Sequence, residues 1–181
     1  LYIDITDAIR EVDNNHIVYI EGNWYGTDFS GLTPPWDDNM SYSFHKYWGE
    51  TSLATIQSYI SMSNQYDIPL WMGESGENSN QWYYEVFNLL EENNIGWNFW
   101  THKKVEKISS PFSAVVTPQY QTLIDYWSGN GSQPSSAYAE AALISFANSL
   151  KLENCISRPG VLASLTDPDF GEVSKPYSDH S

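Results

Sequence analysis

The residue of this chain best placed to do chemistry is a glutamate that stops an apolar run. Glu74 closes the segment IPLWMGE, residues 68–74, and lies between Gly73 and Ser75, with Gly76 next. Small neighbours leave a carboxylate accessible, and an accessible carboxylate can serve as a nucleophile or as a general acid or base. Taken alone, a Glu is more often a solvated charge; its place at the end of an apolar strand is what singles this one out. His45 and Tyr47 alternate with Phe44 and Lys46 in SYSFHKY, residues 41–47. Period-two geometry puts imidazole and phenol on one face of a strand. Such a pair can orient a carboxylate or grip sugar hydroxyls, and it is equally the pattern of a hydrogen-bonded core His beside a core Tyr.

Aromatic residues form the second constellation. The chain has eight tryptophans, all between Trp24 and Trp127. Trp97 and Trp100 lie three apart in one strand and so point to opposite faces. Trp97 reads as a core aromatic under a helix, and Trp100 as the one that reaches the strand ends. Trp24, Tyr25, Trp36 and Trp48 fall in polar loops just past strand ends. Aromatic side chains there have little core to bury in and read as platforms of a sugar-binding cleft. Glu21 also ends an apolar run and supplies a possible second carboxyl.

The elements that must position these residues follow from periodicity. Residues 4–13 predict a helix, with Asp4 as N-cap and Ile5, Ala8, Ile9 and Val12 at helical spacing. HIVYIE (16–21), SYSFHKY (41–47), IPLWMGE (68–74) and IGWNFW (95–100) predict strands. Helices are expected over 51–66 and 79–93, the second capped by Ser79, and again near 118–127 and 136–152. Apolar strands alternating with amphipathic helices predict a parallel sheet of βαβ units. An open doubly wound sheet would carry a Gly-rich phosphate turn after its first strand. EGNWYG is not one. A (β/α) barrel places chemistry at the C-terminal ends of its strands, where Glu21, His45 with Tyr47, Glu74 and Trp100 fall, so the barrel is favoured.

Composition narrows the function classes. With 23 acids against 8 bases the formal charge is -15, which argues against a nucleic-acid surface and an anionic membrane surface. No run approaches the roughly 18 apolar residues of a membrane span. One cysteine, Cys155, allows neither an internal disulfide nor a cysteine metal site, and four histidines are thin for a metal centre. HExxH, GxSxG and P-loop patterns are absent. No motif calls for a cofactor.

In order and spacing, HIVYIEGNWYG, SYSFHKYW, IPLWMGESG and IGWNFWTHKK resemble the C-terminal half of the catalytic module of glycoside hydrolase family 5, the cellulase family, over roughly residues 4–105. The resemblance implies an α/β fold, the C-terminal half of a (β/α)8 TIM barrel, strands five to eight with their helices, completed by a missing N-terminal half. It implies retaining hydrolysis of β-linked glucans or mannans. Carried over by position, Glu74 is the nucleophile, His45 and Tyr47 line the catalytic subsite, Trp100 floors it, and Lys103 or Lys104 reaches a neighbouring subsite. One departure matters. The family's acid/base glutamate sits in an Asn-Glu-Pro motif that this chain lacks. Retaining chemistry needs two carboxyls about 5 Å apart, so the proton donor is expected outside these residues, with Glu21 as fallback.

The expected organisation is a half-barrel over 1–165 and an Asp/Pro/Gly/Ser tail or linker over 166–181. The expected partners are a β-linked polysaccharide and the missing half-barrel, with no nucleic acid and no membrane; the family implies secretion. The alternatives are a non-catalytic carbohydrate-binding or structural fragment, a β-mannanase, or an exo-β-1,3-glucanase of the same family.

Overall fold

The computed structural model describes residues 1–171. They form two compact units, Leu1–Trp100 and the unit beginning at Thr101. The first is built on one sheet of four parallel strands in sequence order: β1 (Val18–Glu21), β2 (Met40–His45), β3 (Leu70–Glu74) and β4 (Gly96–Trp97). Helix α1 (Tyr2–Arg10) precedes β1, and α3 (Gln57–Tyr66) and α4 (Asn80–Glu92) connect β2 to β3 and β3 to β4. This is the alternation of a (β/α) barrel segment.

The core lies between the sheet and these two helices. Ile20, Tyr42, Phe44, Leu70 and Met72 share one face of the sheet and are buried. Phe44 stacks on Tyr59 of α3 with centroids 4.3 Å apart. From α4, Trp82, Tyr83, Val86, Phe87 and Leu90 close the layer, and Phe87 meets Trp97 at 4.3 Å. Each such side chain removed from water stabilises the fold by about 1.5–3 kcal/mol. The opposite face carries Tyr19, Ser41, Ser43 and Trp71, with Tyr19 edge-on to Trp71 at 5.7 Å.

Several boundaries differ from expectation for local reasons. α1 starts at Tyr2, with Leu1 at the cap and Asp4 in the first turn. Its buried position is Thr6, which accepts the Trp36 indole N–H, while Ile5 and Val12 are exposed. It ends early because Arg10 turns back to Asp37 and to the carbonyls of Asp13, His16 and Asn39. The expected helix over 51–66 divides into a 3-10 turn, Leu53–Thr55, and α3, which stops at a left-handed Asp67. Ser79 caps α4 as expected, its side chain accepting from the Trp82 N–H. β4 is only two residues long, although Asn98 and Trp100 still donate backbone hydrogen bonds to Met72 and Ser75.

The second unit holds α5 (Pro118–Trp127) and α6 (Ser136–Ser149), capped by Thr117 and Ser135 and joined by Tyr120 stacked on Phe146 at 4.0 Å. Sequence reading missed its small sheet, β5 (Lys103–Val105), β6 (Phe112–Ala114) and β7 (Ile156–Ser157), and the short α7 (Pro159–Thr166). These strands are two or three residues long and carry no periodic signal. Of the expected tail, residues 172–181 lie outside the described residues.

Candidate active site

A β-bulge builds the site. Phe44 of β2 pairs with Met72, but His45 pairs with Glu74, so Gly73 is an extra residue on β3. Strict alternation would turn Glu74 to the helix side with Met72. The bulge re-aims it to the side of His45. The Tyr47 hydroxyl then donates to Glu74 Oε2 at 2.7 Å, and His45 Nδ1 lies 3.6 Å from the same oxygen. Burial first, and the Glu74 hydrogen bond second, push the Tyr47 phenol well above the ordinary tyrosine range. It therefore stays a donor at any working pH.

The far edge of the imidazole is also engaged. His45 Nε2 lies 2.9 Å from Glu21 Oε1, and the Ser43 hydroxyl reaches that oxygen at 3.4 Å. His45 is thus held between two carboxylates, one at the end of β1 and one at the end of β3.

A cleft of about 350 Å³ opens over Glu74, His45 and Tyr47. Its rim includes Tyr25 and Trp48, 88% and 78% exposed. Tyr25 is delivered by α2 (Asn23–Gly26), whose backbone is left-handed at Trp24 (φ 50°), Tyr25 (φ 58°) and Gly26 (φ 75°). Left-handed conformation costs roughly 1–2 kcal/mol for each non-glycine residue. Asn23 and Asp28 clamp the turn by two backbone hydrogen bonds, and the Thr27 hydroxyl bonds the Trp24 carbonyl. Gly26 is needed there because a Cβ would come 2.8 Å from the His45 ring. Trp48 is presented by a second clamp. Lys46 Nζ donates to the carbonyls of Trp48 and Glu50 and sits over the Trp82 ring, whose N–H donates to the Gly49 carbonyl. Burial lowers the Lys46 pKa.

The structure brings Glu74, His45, Tyr47, Tyr25 and Trp48 together. Trp24 lies in the same turn, is exposed and is not among the cleft-lining residues. Trp36 lines a separate hollow with Tyr2, Pro34 and Pro35. Trp100 is half exposed and is tied through its backbone to Ser75. Trp97 packs under α4, with its indole N–H on Glu91. Lys103 belongs to the second unit, where its ammonium donates to the Leu150 carbonyl. Thr27, Thr55, Tyr59 and Glu77 also line the cleft. Sequence reading missed them; only Glu77, in the loop just after Glu74, had a positional signal. Among the described residues no group of three His, Cys, Asp or Glu is placed to hold a metal ion, and no helix is long and apolar enough to cross a membrane.

A family model described as cellulase, glycosyl hydrolase family 5, matches residues 2–105. No curated protein matches. Solved structures that resemble the chain include Clostridial cellulose synthase subunit Z from Clostridioides difficile (17% identity, TM-score 0.46, 55% of this chain and 46% of that one). Another is Cel5A of Thermotoga maritima in complex with mannotriose (19%, TM-score 0.48, 55% and 44%). A third is an endo-β-1,4-glucanase from Xanthomonas axonopodis pv. citri (16%, TM-score 0.45, 75% and 51%). The chain spans about half the length of these proteins. At such TM-scores the family assignment rests on the sequence match.

Proposed function

The chain belongs to the cellulase family, glycosyl hydrolase family 5, and from that premise we propose that it is the nucleophile-bearing part of a retaining β-glycan hydrolase, with Glu74 as the nucleophile. The observation that carries this reading is the Tyr47 hydroxyl, 2.7 Å from Glu74 Oε2, with His45 against the same oxygen. Two partners on one oxygen fix the rotation of the carboxylate and present Oε1 to the sugar. In the reaction Oε1 forms a bond to the anomeric carbon as the glycosidic C–O bond breaks, and a proton is delivered to the leaving oxygen. Water then hydrolyses the glycosyl ester. Glu21 makes a poor proton donor, being engaged by His45 and Ser43, so that group comes from outside these residues.

Tyr25 and Trp48 offer stacking surfaces on the rim for pyranose rings. The substrate class is a β-linked glucan or mannan, and a polymer of that kind calls for secretion. In the full-length protein, Glu74→Gln is expected to abolish turnover of soluble β-glucan while binding persists. A 2-deoxy-2-fluoro glycoside is expected to label the peptide that carries Glu74. A Glu74→Gln enzyme with a tenth or more of wild-type activity, about 1.4 kcal/mol of barrier, overturns the assignment. Wild-type binding without turnover would favour a non-catalytic carbohydrate-binding fragment, which the exposed rim aromatics also support.

A further inference from the structure

Glu21 is the carboxylate that the reaction just described leaves unused, yet the fold is shaped around it. Its Oε1 is 2.9 Å from His45 Nε2 and accepts a longer hydrogen bond, 3.4 Å, from the Ser43 hydroxyl. The opposite edge of the same ring meets the Glu74 carboxylate, with Nδ1 3.6 Å from Oε2. Two glycines make the space. A Cβ at Gly73 would collide with Ser43 Oγ and come 3.2 Å from Glu21 Oε1, and a Cβ at Gly26 would press on the His45 ring. The His45 side chain is only 11% exposed, so the ring has few other partners.

We propose that Glu21 is a positioning residue for hydrolysis: it selects the ring flip of His45, with Nε2 toward Glu21 and Nδ1 toward Glu74, and through that ring holds Glu74 in its attacking orientation. The proposal rests on the reading of Glu74 as nucleophile. The physical ground is that the outer torsion of a histidine is broad and two-fold, so its flip is chosen by hydrogen bonds. A hydrogen bond to a carboxylate is about twice as strong as one between neutral groups and dominates that choice. With Glu21 removed, His45 Nε2 loses its carboxylate partner, and one of the two contacts that set the Glu74 rotation loosens.

The test uses the full-length protein and three variants, Glu21→Gln, Glu21→Asp and Glu21→Ala. Two readouts are needed: side-chain nitrogen NMR of His45, and kcat with KM on a soluble β-glucan. A slowly exchanging Nε2 proton is expected in wild type. It should persist in Glu21→Gln, whose amide oxygen still accepts, and vanish in Glu21→Asp, which is one methylene too short, and in Glu21→Ala. In the last two kcat is expected to fall at least about tenfold with KM within about twofold. Persistence of the slow proton in Glu21→Asp and Glu21→Ala overturns the contact. Its loss without loss of kcat overturns the link to Glu74. If Glu74→Gln stays active, the nucleophile reading fails separately, because the His45 signal reports on Glu21 whichever group attacks the sugar.

Discussion

Replacing Tyr47 by Phe removes one oxygen and little else. The ring keeps its place, tilted against Trp48 with centroids 6.1 Å apart, while the 2.7 Å donation to Glu74 Oε2 disappears. A hydrogen bond to a charged group contributes about 1.5–3 kcal/mol. At 1.36 kcal/mol per decade this converts to a loss of about 10- to 150-fold. The Glu74 side chain is one-third exposed, so water replaces part of the lost contact and the lower end of that range, about tenfold, is expected. The contact is made to the carboxylate proposed as nucleophile and not to the aromatic rim, so the loss should fall on kcat with KM little changed. Steady-state hydrolysis of a soluble β-glucan by the full-length protein measures it, with thermal unfolding as the control for folding. A Tyr47→Phe enzyme that unfolds like wild type and keeps kcat within about twofold would refute the reasoning that this hydroxyl sets the nucleophile.

Two further predictions concern stability. Asp37 is held below the usual carboxylate range, first by the Arg10 hydrogen bonds, and backbone N–H groups of Asn15 and His16 hold Asp13 at about 2. Lowered folded values mean stability that is present above about pH 4 and lost as pH falls toward 2. Arg10→Ala should lower the melting temperature at neutral pH and flatten that acid limb, and an unchanged acid profile would contradict it. At the other extreme, burial pushes the Tyr42 and Tyr83 phenols up to about 12. Raised folded values give stability that is complete below pH 10 and lost between about 10 and 12. Phenolate absorbance from these two should therefore appear only together with unfolding, and ionisation in the folded protein would count against their burial.

Local signals in the sequence were enough for the alternation of strands and helices. Ile17, Val18 and Ile20 mark β1, Ser79 marks the start of α4, and Pro118 marks the start of α5, because β-branching, side-chain caps and a fixed proline φ act within a few residues. Glu74, His45 and Tyr47 were legible as candidates for the same reason, since their position at strand ends needs no tertiary information. The shared face of His45 and Tyr47 was legible from period two, but the face that Glu74 takes was not. Period two assigns Glu74 to the side of Met72, and only the extra residue at Gly73, a matter of register between β2 and β3, turns it to His45. The left-handed turn at Trp24 and Tyr25 had no local reason either. It is held by the Asn23–Asp28 bridge and by the closeness of Gly26 to a ring on another strand. Glu21 read as a spare carboxyl until the parallel pairing of β1 with β2 brought Ser43 beside it and His45 within its reach. Sequence periodicity expresses forces along the chain, whereas bulges, strained turns and paired side chains are decided by what a neighbouring strand leaves room for.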